Sequence, residues 1–166
     1  MISKDAILNL MLRECDLCVH LHGKVPEGKM DYRFTPKQRS TEELLRYISY
    51  VGLGASRSIA AGNWEPYQAL VKESEGQKAS DFSAAMERQK EGLKAFFAGL
   101  TEKDLEEKTF EMPWGERLPL GQGILALPYA ALAAYRMQLF LQAKAAGNLA
   151  LSTSNNWAGR DMAPPK

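Results

Sequence analysis

Apolar residues recur along most of this chain every three to four positions, and the stretches that break the period are rich in glycine, proline and charge. From Ser3 to about His22, the side chains of Leu8, Met11, Leu12, Cys15, Cys18 and Val19 fall on one stripe at about 100° per residue, which predicts a first helix. Gly23, Pro26 and Gly28 stop it and open a loop that runs to about Arg39. Ser40-Thr41-Glu42-Glu43 fits a capping box, and Leu44, Ile48, Val51, Ala55 and Ile59 form the buried stripe of a second helix, which stops near Gly62-Asn63 before Trp64-Glu65-Pro66. A polar stretch, Lys72 to Lys78, leads to a Ser80-Asp81 cap and a third helix with Phe82, Met86, Leu93, Phe96 and Phe97 inward, ending at Gly99. Thr101 to Leu105 suits one further turn, and Phe110 to Leu118 reads as a hairpin around Trp114-Gly115. A fourth helix is expected after Pro119, running through Gly121 to Ala146 with Ile124, Leu132, Tyr135 and Leu139 inward and Gly147 as its stop. Pro128 lies inside that run and predicts a kink or a late start.

Four long amphipathic segments with almost no strand pattern predict an all-α four-helix bundle. Residues 1–150 are expected to form its single domain, and residues 151–166 a C-terminal tail. The connections Gly23–Arg39 and Thr101–Leu120 exceed the usual roughly two to eight residues of a bundle, which leaves room for crossovers. Gly52-x-Gly54 and Gly121-x-Gly123 follow no strand, so they suit close helix packing or a helix start rather than a dinucleotide fingerprint.

The length of 166 residues is enough for one hydrophobic core, and 45% hydrophobic with 25% charged residues argues against a disordered chain. Lys plus Arg (21) against Asp plus Glu (20) leaves a net charge of +1, without the global basic footprint of a nucleic-acid binder. No run is read as approaching the roughly 18 apolar residues of a membrane span, and a reducing cytoplasm is the expected compartment.

Cys15-x-x-Cys18 followed by His20 and His22 has the residue types of a metal box, and helical geometry puts Cys15, Cys18 and His22 within about 60° of one another. The same arc carries Met11, Leu12 and Val19, so core packing with free thiols is the simpler expectation. Trp114 and Trp157 suit a cover for the open end of the bundle or a subunit contact.

The inward stripes of the second and fourth helices also bring Tyr47, Tyr50, Ala131 and Tyr135 toward each other. The stretch from Tyr32 to Ile48, with Ser40-x-x-Glu43-Leu44-Leu45 leading into Tyr47, resembles the loop and second helix of DinB-like, YfiT-like bundle proteins. Tyr135-Arg136-Met137-Gln138-Leu139, followed by Ala146-Gly147, resembles their last helix. The resemblance implies a four-helix bundle with long crossovers. In metal-binding members it implies three histidines on a divalent ion, one from the second helix and two, four apart, from the last. The matching positions here are Tyr47, Ala131 and Tyr135, and none is a histidine.

The expected function is therefore that of a DinB-like bundle without the usual metal site and with no cofactor. It would bind a small molecule in a cavity between the second and fourth helices, at Tyr47, Tyr50, Ala131 and Tyr135, and act as a homodimer with no nucleic-acid or membrane partner. The same residues also admit a filled core, in which the phenols occupy the vacated space. Arg33, Arg39 and Arg136 are candidates for a cationic rim. The alternative is a metal-dependent hydrolase or thiol transferase, with a metal site rebuilt from His20, His22, Cys15 or Cys18.

Overall fold

The computed structural model describes residues 2–162. Helix α1 spans Lys4–His22, and its cap Ser3 accepts from the Ala6 amide at 3.2 Å. Helix α2, Thr41–Ala61, starts from the anticipated capping box: Glu43 N–H donates to Ser40 Oγ at 3.2 Å, and Ser40 N–H to Glu43 Oε2 at 2.7 Å. It stops at Gly62, whose φ of 72° is a left-handed conformation that glycine adopts without a Cβ penalty.

The next element departs from the sequence expectation. Glu65–Glu73 forms helix α3, with Pro66 in its first turn and the Glu65 amide bonded to Asn63 Oδ1 at 3.0 Å. It lies so close to α2 that a Cβ on Gly54 would stand 3.1 Å from the Tyr67 ring. Because α3 covers a second side of α2, every residue from Val51 to Ser56 is buried. A short 3-10 turn, Ala79–Asp81, then leads into α4, Phe82–Ala98, which turns Phe82, Met86, Leu93 and Phe97 into the core.

A small helix α5, Glu102–Glu107, precedes the anticipated hairpin of β1, Thr109–Glu111, and β2, Arg117–Pro119, with Phe110 opposite Leu118. The last long helical run is divided. Helix α6, Leu120–Ile124, passes through a π turn, Leu125–Tyr129, into α7, Ala130–Ala145. Pro128 sits in the π turn, where the wider backbone accommodates a residue that has no N–H to donate.

The four long helices form a ring in which α1 packs on α4, α4 on α2, α2 on α7 and α7 on α1. Helices α1 and α2 therefore stand on a diagonal, and so do α4 and α7. Each diagonal is bridged by one of the two long connections, as a crossover requires. The first is tied down where it enters α2: Thr41 and Glu42 amides donate to Tyr32 and Met30 carbonyls at 2.9 Å each, and buried Gln142 on α7 donates to Tyr32 and Arg39 carbonyls at 3.2 and 3.3 Å. This is an all-α bundle with long crossovers and a short hairpin before the last helix.

Two expectations need correction. The segment after Leu151 carries helix α8, Thr153–Ala158, which packs on α1 with Leu151, Asn155 and Asn156 buried; residues 163–166 lie outside the described part. The run Leu120–Ala145 is, by length and composition, apolar enough to cross a membrane, with a mean hydropathy of 1.4 over its best window. A core helix passes the same test. This run packs against α1 and α2 and buries Arg136 in an ion pair.

Candidate functional site

Helices α2 and α7 place Tyr47 and Tyr135 face to edge across their seam, ring centroids 4.7 Å apart. Tyr50 meets Tyr47 at 5.6 Å, and the edge-to-face contacts continue through Tyr67 at 5.5 Å to Trp64 at 5.7 Å. The Arg39 guanidinium closes the seam from above, 4.1 Å from the Tyr47 ring centre and 5.7 Å from that of Tyr135. Burial, reinforced by the neighbouring Tyr135 phenol, pushes Tyr47 up to about 12. Tyr67 is pushed up as well, first by burial and then by Tyr47 and Tyr50. Stacked aromatic rings thus occupy the seam, and Ala131 stands half-buried beside them.

A divalent ion does not suit this donor set. Ala131 has no donor atom, Tyr47 is held as a neutral phenol, and a guanidinium already takes the cationic position over the Tyr47 ring. The residues of α1 do not come together into a metal site either. Cys15 and Cys18 are fully buried, with burial pushing Cys15 up to about 12 and raising Cys18 as well. His22 packs its ring on Phe82 at 5.2 Å, and His20 Nε2 lies 3.2 Å from the Asn155 amide. Burial lowers both histidines. Among the described residues, no group of three or more His, Cys, Asp or Glu is placed to hold a metal ion.

The arginines expected at a rim are also differently placed. Arg136 is buried and donates through Nε to Glu14 at 2.5 Å and through Nη1 to the Asn156 carbonyl at 2.7 Å, with its guanidinium 4.9 Å from the Trp157 ring centre. Arg33 pairs with Glu43 at 3.4 Å. Only Arg39 of the three overhangs the tyrosines.

Open space is found on the other side of α2. A cleft of ≈ 350 Å³ runs between α2, α3 and α4, and of the four expected residues only Tyr50 is in its wall. Its depth comes from small residues: Ala85 on α4 and Ser49 on α2 leave room that larger side chains would take. Gly92 is tightly fitted, since a Cβ there would stand 2.3 Å from Leu53 Cδ2. Leu53 and Leu70 give the cleft its apolar lining, and Arg57, Glu73 and Arg88 bring one charged side chain from each helix. Sequence reading missed these residues because the second wall, α3, was not recognised. Its signal was Pro66 at a helix start, followed by Tyr67, Leu70 and Val71 at helical spacing.

A search of solved structures matches the chain to YjoA, a DinB-like protein from Bacillus subtilis, with a TM-score of 0.65 over 85% of this chain and 92% of that one. The two are 18% identical. The chain has the DinB-like fold. No family profile and no curated protein matches the sequence.

Proposed function

We propose that this DinB-like bundle is a small-molecule-binding protein and that it takes its ligand in the cleft between α2, α3 and α4. The observation that carries this reading is the cleft itself. At ≈ 350 Å³ it lies at the small end of the range for ligand pockets, and it joins an apolar lining to a few charged groups. The tyrosine seam supports the reading indirectly, because stacked rings fill the place where the sequence put a cavity. Tyr50 belongs to both regions and gives the cleft one aromatic wall.

Ala85 sits in the cleft wall, and a larger side chain there fills the space from α4. Thermal-shift screening of a metabolite library should yield compounds that stabilise the parent, by about 2.7 kcal/mol at a hundredfold excess over Kd. Those compounds should lose their effect on Ala85→Leu, with the variant still helical by circular dichroism. Compounds that stabilise both proteins equally, or a library without hits, would contradict the proposal.

A further inference from the structure

We infer that the cleft selects a small organic oxyanion, a carboxylate or phosphate ester with an apolar body, whose head group is held by Arg57 and Arg88. This rests on the cleft being a ligand site, and it adds the chemistry of the ligand.

Most of the uncharged polar groups around the cleft are already engaged within the protein, the Gln77 side-chain N–H excepted. Gln89 donates through Nε2 to the Ile48 carbonyl at 2.9 Å and accepts from the Leu53 amide at 3.1 Å. The Gln77 carbonyl receives Arg46 Nε and Nη2 at 3.2 and 2.9 Å. Ser49 and Ser74 hydroxyls each donate to a carbonyl of their own helix at 2.7 Å, Arg46 and Val71 respectively. Polar recognition therefore falls mainly to the charged side chains of the walls, with the Gln77 amide as one further donor.

Arg57 on α2 and Arg88 on α4 both line the cleft, both are exposed, and neither has an ion pair or side-chain hydrogen bond among the described residues. Arg160, away from the cleft, is likewise without a side-chain partner among the described residues, while the remaining arginines are engaged. Arg13, Arg33, Arg46 and Arg136 each donate to an oxygen of the protein, and Arg39 lies over Tyr47. A guanidinium is a planar fork that matches carboxylate and phosphate oxygens in pairs, so two of them on facing walls favour an oxyanion over a neutral or cationic head. Glu73 on α3 opposes this with one negative charge, leaving the walls with an excess of one positive charge. The body of the ligand would lie on Leu53, Leu70 and the Tyr50 ring, and the small volume limits it to one compact ring system.

The test uses four probes with one body: 2-naphthoate, 2-naphthyl phosphate, 2-naphthamide and 2-naphthylmethylammonium. Their affinities are measured by calorimetry on the full chain at low ionic strength. The inference expects both anions, or the one of the two that names the natural head group, to bind at least about tenfold more tightly than the amide, and the cation not to bind. Arg57→Gln and Arg88→Gln should each weaken the anion by about tenfold or more, Glu73→Gln should tighten it, and Arg117→Gln on the hairpin should leave it unchanged. If the amide binds as well as the anions and Ala85→Leu abolishes both, the cleft stands and anion selection is overturned. If anion affinity survives both cleft arginine changes, the inference is equally overturned. If no probe binds the parent, both this inference and the cleft as a site for such bodies fall.

Discussion

A phenol drawn into a helix seam must be kept neutral and have its ring faces covered, and Tyr47 shows how this chain does both. Tyr135 and Tyr50 cover its ring edge to face, and Arg39 lies over it at 4.1 Å. Burial holds its hydroxyl up to about 12, against the 10.0 of a free phenol. Between those values the unfolded chain has released this proton and the folded chain has kept it, so stability falls as pH rises through that window. Cys15, also held up to about 12, adds a loss of the same sign from lower pH, so the test compares a variant with its parent. Urea midpoints of Tyr47→Phe should fall less steeply than those of the parent from about pH 9 to about pH 12. Equal slopes would show that the phenol is not held as described. The inward placement of Tyr47 and Tyr135 was legible from helical period alone. What they do there was not, since a tyrosine at an inward position serves equally as packing or as a pocket wall, and only the ring positions decide.

Among the elements, the ones that escaped the sequence are those whose apolar stripe is short. Helix α3 offers only Tyr67, Leu70 and Val71, and none of its residues is fully buried. Helix α8 is held by polar contacts instead: Arg136 on α7 reaches Glu14 on α1 and Asn156 on α8, and Arg13 donates to the Trp157 carbonyl. Glu14 was illegible because an acid among apolar helix positions reads as an exposed interruption, while here it is 3% exposed and paired. Breaking that pair strands a buried charge. Glu14→Gln should cost about 3–5 kcal/mol, whereas Glu14→Leu combined with Arg136→Met should cost less because neither charge remains. Denaturant unfolding gives the two energies. Amide exchange should show Asn155 and Asn156 losing protection in Glu14→Gln ahead of the α2 core. A double variant less stable than the single would contradict the account of α8 as a strap fastened by this pair.

At the scale of the molecule, two long connections permit the ring order α1, α4, α2, α7, and those lengths could be read directly off the glycine- and proline-rich breaks. Which helices become neighbours could not, because amphipathic stripes say that a face is buried without saying against what. The same ambiguity put the expected cavity between α2 and the last helix, where aromatic rings now stack, and left the α2–α3–α4 cleft unseen. The proposed ligand cleft lies across α2 from the Tyr47–Tyr135 seam and shares only Tyr50 with the residues expected there. The most direct measurement is an amide NMR titration of the isotope-labelled protein with 2-naphthoate. The account predicts shifts concentrated on residues of the cleft, among them Leu53, Ser74, Gln77 and Gly92, with Arg39, Ala131 and Tyr135 unmoved. Shifts centred on Arg39, Ala131 and Tyr135, with the cleft silent, would contradict it.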